Sequence, residues 1–402
     1  MTSINPSSRL SKIRFITMFI AMCIVIGPVS ACSGKSAETT PFVPATTVPV
    51  TTATPTETVI PVTEPIETEP AATTSSSTGF LLNPFTGIAD MDPENAGMRS
   101  VAIVVNNHIA SIPQRGLHKA DVIYEYETEG GQTRLLALFA DVSSVPEIGS
   151  IRSARVVSSH LAAGTNSLFI HFGSNARVPS ELKQYGIQDI DGNAMCASSG
   201  HSVKGDITLP SNLFFYRDDN WKSKRAIEHT AVTNGKLLLG AIEYKGFDMN
   251  GETPVLFHFV ESPSPSLANG QTCTDLNIFF SLTNKDSNFI YDKEIAMYGK
   301  YQYNGKAQID ELTQEMIYVK NVFVLFARIE PHGDSTIDAY LNEGGAGFYV
   351  SEGKLIEITW EKDTPNNLIE VFDKEGNPVE VNVGKSYINI VRRSRSTQTT
   401  WE

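Results

Sequence analysis

Between Ser33 and Gly79 the chain carries seven prolines (Pro41, Pro44, Pro49, Pro55, Pro61, Pro65 and Pro70) among runs of Thr, Ser, Ala and Val. Glu57, Glu64, Glu67 and Glu69 are scattered through the tract, and Phe42 is its one aromatic residue. Such a segment cannot bury enough apolar surface to offset the entropy of ordering it, so a packed core has to come from the chain beyond Gly79. The prolines bias the tract toward extended polyproline II at about 3.1 Å per residue, a reach on the order of 100 Å. That reach suits a thick wall better than a thin periplasm. The Thr/Ser-Pro composition also suits O-glycosylation.

The residues before the tract explain it. Arg9, Lys12 and Arg14 flank an apolar run from Phe15 to Pro28 that is short for a membrane span, and Val29-Ser30-Ala31-Cys32 closes it. This pattern resembles the lipobox of bacterial lipoproteins. It predicts a signal peptide over 1–31, acylation of Cys32 by palmitate-type chains, and a tether over 32–79. An uncleaved anchor and plain secretion are the alternatives. The expected location is the outer face of the cytoplasmic membrane in a Gram-positive type of envelope. Loss of three positive charges with the signal peptide takes the formal charge from −13 to −16. Phosphate neutralisation needs clustered Lys and Arg, so this balance excludes a nucleic-acid partner. Membrane attachment then rests on the lipid at Cys32. With Cys23 removed and Cys32 lipidated, Cys196 and Cys273 remain, either bridged or as two thiols.

After Phe80 apolar runs mark strands at 100–105, 122–127, 134–140 and 167–172. Helices are expected at 153–163 with Ser153 as N-cap, at 179–185 closed by Gly186, and at 236–244 closed by Gly246. Ser262-Pro263-Ser264-Pro265-Ser266 is the expected domain boundary, giving domains over 80–262 and 263–402. Beyond it the signal is mostly strand: 276–281, 296–303, 317–329, 347–350, 355–360, 368–372 and 386–391. The expected class is α+β: an N-terminal α/β-type domain with a mixed sheet, followed by a β-rich domain.

Unusual polar residues concentrate between Asn106 and Arg155. They fall at strand ends and at a helix start, where open α/β sheets place ligands. A helix N-terminus favours an anion, and Arg152 and Arg155 add guanidinium forks for phosphate or carboxylate. The bland alternative pairs Arg134, Arg152 and Arg155 with Asp121, Glu125 or Glu127. His171 precedes a glycine turn and is an acid, a base or a scaffold residue; His229 reads the same way. No His or Cys spacing matches a zinc motif, so neither a metal nor a cofactor is expected. Cys196 near His201 has the wrong order for a cell-wall cysteine transpeptidase. Glu125 with Glu129 reads as a solvated or salt-bridged pair more than a glycosidase pair.

The segment containing Asn83-Pro84-Phe85-Thr86-Gly87, Asn106-Asn107-His108, Gln114-x-Gly116-Leu117, Ala120-Asp121, Glu129-Gly130-Gly131, Thr133-Arg134, Gly149-x-Ile151-Arg152-Ser153-Ala154-Arg155 and His171-x-Gly173 resembles the YerB-like lipoprotein family. The likeness continues through Arg225 and His229, and then through Tyr301, Gly305, Asp310, Asn321-Val322, Gly345-x-Gly347 and Trp360. The chain departs at Gln308, where the family pattern has histidine, and near Tyr303, where it has arginine. This weakens any role for a His–Asp pair there. The resemblance supplies no reaction.

Three functions are compatible with these residues. The leading one is a lipid-anchored binding or accessory protein, not an enzyme, with an anion site of His108, Arg134, Arg152, Arg155 and His171. Its partner would be a cell-wall polymer or an envelope protein. The others are a wall-polymer hydrolase or transferase using His171 or His229, and a structural module of an envelope complex. Cys32→Ala is expected to abolish incorporation of labelled palmitate and to move the protein from the membrane fraction to the medium. Unchanged labelling would remove the lipobox assignment.

Overall fold

The computed structural model describes residues 79–196, 214–281 and 285–402. Cys32, the tether and His201 lie outside the described residues. Val101–Val105 is apolar at every position, the pattern of a strand covered on both faces. Val101, Ile103 and Val105 enter one core and Ala102 and Val104 the other.

In chain order, the principal strands are β1 (Val101–Asn106), β2 (Val122–Glu127), β3 (Thr133–Phe139), β4 (Leu168–His171) and β5 (Asp189–Asp191). They continue with β6 (Asp275–Ser281), β7 (Lys285–Asp292), β8 (Met297–Gln302), β9 (Asn321–Pro331), β10 (Gly345–Ser351), β11 (Lys354–Glu361) and β12 (Ser386–Arg392). The helices are α1 (Val156–Gly164), α2 (Val178–Tyr185) and α3 (Gly235–Lys245). Left-handed Gly186 and Gly246 close α2 and α3, as their sequences indicate.

A twelve-stranded mixed sheet runs in the order β11-β10-β9-β12-β2-β3-β1-β4-β5, with short strands at one edge and beside β9 and β11. The expected class, α+β with a mixed N-terminal sheet and a strand-rich C-terminal part, is the observed one. Ser262–Ser266 separates the two parts along the chain but not across the sheet. β12 lies parallel to β2, pairing Ser386 with Val122 through Ile390 with Tyr126. A second, six-stranded sheet contains β6, β7 and β8 and covers one face through Ile278, Phe280, Phe289 and Tyr298. Leu238, Ala241 and Ile242 of α3 join that core. The other face takes Val157 and Leu161 of α1.

Two sequence expectations need correction, and the open alternative for Cys196 and Cys273 is decided. α1 starts at Val156 with Arg155 as N-cap, not at Ser153. The residues before it are held extended, since Arg152 N–H donates to Val104 O (2.9 Å) and Ala154 N–H to Gly173 O (2.9 Å). The run 317–329 breaks at Lys320: Tyr318–Val319 pairs with β8, and the rest is β9 in the main sheet. Cys273 is a free, buried thiol, so no bridge joins it to Cys196. Burial pushes its thiol up to about 12.

One strand, β7, has no apolar run to mark it. Its inward positions are Lys285, Ser287 and Phe289. The first two meet Glu125 of β2 between the sheets. Lys285 Nζ lies 2.8 Å from Glu125 Oε1 and Lys300 Nζ 3.7 Å from Oε2, and all three side chains are fully buried. Thr133 Oγ1 (2.7 Å) and Asn107 Nδ2 (3.0 Å) donate to Oε1, while Ser287 Oγ (2.7 Å) and Tyr387 OH (2.9 Å) donate to Oε2. Burial pushes the Glu125 carboxyl up, but the two lysines and these hydrogen bonds outweigh it and hold it at about 2. Its folded value lies below its unfolded one. The carboxylate therefore contributes stability above about pH 4.5 that is lost as the pH falls toward 2. Glu125→Gln removes the counter-charge of buried Lys285 and Lys300, the latter already pushed down to about 7 by burial. It is expected to cost about 3–5 kcal/mol in urea unfolding at pH 7 and to flatten the acid limb. A loss under about 1 kcal/mol would show that the cluster is not a buried ion network.

Candidate functional site

The end of β1 sorts three neighbouring side chains. Asn107 points to Glu125, and its Oδ1 accepts from Gln114 Nε2 (2.9 Å). Asn106 Nδ2 donates to His229 Nδ1 (2.7 Å). His108 stacks on His229, with ring centroids 5.3 Å apart and planes 11° apart. His108 Nδ1 accepts from Ala110 N–H (3.0 Å). Each imidazole thus uses its Nδ1 lone pair locally and carries the neutral ring's proton on Nε2.

The arginines reach this place from three directions. Arg134 stands on β3 opposite Asn106. Arg152 lies on the extended segment whose Ile151 N–H donates to Ala231 O (2.8 Å). Arg217 arrives through a small three-stranded sheet of Ile148–Gly149, Ala231–Thr233 and Tyr216–Arg217. Arg155 caps α1.

The anticipated pairing of these arginines with Asp121, Glu125 or Glu127 does not occur. Glu125 belongs to Lys285 and Lys300, and Glu127 to Arg392 (2.9 Å) and Arg395 (3.2 Å). Asp121 accepts from Asn83 Nδ2 (3.0 Å) and Ala140 N–H (2.8 Å). Arg155 alone finds a carboxylate, Glu129 at 2.7 Å. Arg134 is 8 % exposed. Its guanidinium donates to the Ser153 carbonyl at 2.5 Å and makes no ion pair among the described residues. Arg152 donates to Glu228 O (3.4 Å) and Arg217 to Ile227 O (2.5 Å), both backbone carbonyls. Burial, then Arg155 and Arg152 beside it, lower the proton affinity of Arg134. Burial, with Arg155 and Arg217 nearby, does the same to Arg152. Arg217 was not legible as a site residue, because it reaches the cluster only through strand pairing with Ala231.

His171 stands apart. It is 2 % exposed; Nε2 lies 3.0 Å from Asp189 Oδ2 and Nδ1 2.8 Å from Gly173 O. Both ring nitrogens therefore face acceptors that tie β4 to β5 and to the adjoining turn. Arg115 and Arg225 flank the Trp221 ring, each 4.1 Å from its centroid, and both pair with Glu311 from the C-terminal part (3.1 and 3.5 Å). Among the described residues no three His, Cys, Asp or Glu side chains are grouped to hold a metal ion.

The family model described as "Protein of unknown function (DUF3048) N-terminal domain" matches residues 85–248, and its C-terminal counterpart matches 276–388. The chain belongs to this YerB-like family. A relative from Bacillus subtilis (strain 168), named "Putative lipoprotein YerB", is 30% identical over 318 residues, covering 77% of this chain and 86% of the relative. The crystal structure of the YerB protein from Bacillus subtilis superposes with a TM-score of 0.65 at 27% identity, over 77% of this chain and 96% of that one. Arg134 and Arg152 lie within the matched N-terminal range, and the fold leaves both facing backbone carbonyls rather than carboxylates. No helix among the described residues is long and apolar enough to cross a membrane.

Burial, and then the field of Arg152, depress the His229 pKa. Arg152→Ala is expected to raise it toward the ordinary histidine range, read from pH-dependent imidazole NMR shifts. An unchanged midpoint would separate Arg152 from His229 electrostatically.

Proposed function

We propose that the protein is a lipid-anchored envelope lipoprotein whose N-terminal part binds an anionic group of a cell-wall polymer. The lipid sits on Cys32, the tether holds the fold away from the outer face of the cytoplasmic membrane, and the envelope is of Gram-positive type. The relative's description as a lipoprotein supports the anchor.

The observation that carries the binding reading is Arg134, a buried guanidinium with no carboxylate partner among the described residues. A buried charge is expensive unless paired, and a bound phosphate or carboxylate is the missing half of the pair. Charge-assisted hydrogen bonds from guanidinium groups match such oxygens in geometry as well as sign. Arg152, Arg155 and Arg217 add positive charge, and the Nε2–H groups of His108 and His229 are further donors. A set of donors with its imidazole lone pairs already used favours holding an anion over abstracting a proton. His171 supports this site from the scaffold.

Titration of the full-length lipoprotein in detergent with inorganic phosphate and with a glycerol-phosphate polymer tests the reading. Calorimetry at low salt should register binding of both, the polymer more tightly. Arg134→Met and Arg152→Ala should each weaken it by about tenfold or more, roughly 1.4 kcal/mol. Absence of heat with both probes would remove the proposal, as would binding indifferent to both variants.

A further inference from the structure

One side of α1 leads away from the arginines along a groove that the anion reading does not use. Val156 and His160 of α1 line one cavity of about 300 Å³, together with Glu181 of α2 and Asp338 and Asp363 from the C-terminal part. Ala163 and Gly164, at the far end of the helix, line a second cavity of about 470 Å³, with Arg99, Gln188 and Glu252. Each volume lies within the range of small-molecule sites. Tyr185, the last residue of α2, lines both cavities and stands between them. Positions 156, 160 and 163–164 recur at helical spacing, so the two cavities run along one face of α1. A nine-residue helix gives that face a length of roughly 13 Å.

The chemistry of this groove differs from that of the arginine cluster. Two of its cationic side chains face carboxylates and two face only carbonyl or amide oxygens. His160 Nε2 lies 2.9 Å from Glu181 Oε2, and Arg177 Nη1 2.5 Å from Asp338 Oδ2. Lys362 Nζ donates to the Pro365 carbonyl (3.1 Å) and to that of Asn367. Arg99 donates to the Asn166 carbonyl (3.0 Å) and to Gln188 Oε1. Glu181, Asp338, Asp363 and Glu252 on the same walls offset the charges of Arg177, Lys362 and Arg99, so the groove carries no excess of positive charge. Among the described residues, the Tyr185 hydroxyl and the exposed carboxylates of Glu252 and Asp363 are groove groups without a hydrogen-bond or ion-pair partner. The Tyr185 ring is half-buried and meets His160 edge-on (5.3 Å between centroids), which fixes its plane at the junction.

We infer that this groove is a second binding site, for a neutral oligosaccharide lying along α1. An aromatic ring with a fixed plane offers a stacking surface for the C–H face of a pyranose, and its hydroxyl supplies a polar end. Unpaired carboxylates accept from vicinal hydroxyl groups, one in each cavity. A ligand longer than one ring is required to touch both carboxylates past the shared Tyr185. The site takes residues from α1, α2 and the C-terminal part, so it exists only when both parts of the chain are folded together.

Calorimetric titration of the full-length lipoprotein in detergent with chitotriose, an uncharged aminosugar trimer, tests this inference, with inorganic phosphate as a parallel titrant. Chitotriose should bind, and N-acetylglucosamine alone should bind at least tenfold more weakly. Tyr185→Phe keeps the ring, its contact with His160 and the fold, and should weaken chitotriose binding severalfold. Glu252→Gln, on the exposed wall, should do the same. Neither should alter phosphate binding, and Arg134→Met should leave chitotriose binding intact. No binding of chitotriose at millimolar concentration, or equal affinity in wild type and both groove variants, would overturn the inference whatever phosphate does.

Discussion

Glu125 is the group on which the rest of the structure depends. It sits between two sheets, where a carboxylate is costly, and is kept charged by Lys285 and Lys300. The same carboxylate gathers hydrogen bonds from β1's end, β3, β7 and β12. It therefore sets the second sheet against the first and fixes the height of the Asn106-Asn107-His108 turn. Asn107 is pulled inward by Glu125, so its neighbours on either side are turned toward His229. The outer site is held from beneath by an ion cluster that it never touches.

The distribution of opposite charges is as telling as the cluster itself. In a chain with net charge −13, carboxylates outnumber cations, yet they are spent elsewhere. Glu127 clamps the C-terminal arginines, and Glu147, Asp218 and Glu311 surround Arg115. Asp189 and Asp191 gather around His171. Arg134, Arg152 and Arg217 are left facing backbone carbonyls. On the anion-binding proposal, an acidic surface around such a basic recess would favour anions that fit its geometry, because the surrounding field repels the rest.

Much of this was legible in the sequence, and the boundary of legibility is physical. Val101–Val105, Val122–Glu127 and the α2 and α3 glycine caps declared themselves, since hydrophobic periodicity and cap chemistry are local. β7 did not, because two of its three inward residues are a lysine and a serine whose burial makes sense only beside Glu125, far away in the chain. The start of α1 was misplaced for a similar reason: Ser153 has the chemistry of a cap, but Val104 and Gly173 hold its neighbours extended. His108, Arg134, Arg152 and Arg155 were recognised as candidates. Which carboxylates they would meet was not, because ion pairing depends on topology. Arg217 carried no local signal, and His171, recognised beside its glycine turn, is absorbed by Asp189.

The place of β12 has a consequence for how such a chain can mature. The strand that ends at Arg392 fills the slot between β9 and β2, so the middle of the main sheet is the last part to be supplied by the chain. In a polypeptide crossing a membrane amino end first, β2 emerges long before its neighbour. It waits with one row of backbone donors and acceptors open to any passing strand. Closing the sheet is then a single long-range event that waits for the chain beyond Ser386, with the slow kinetics and aggregation risk of non-local strand pairing.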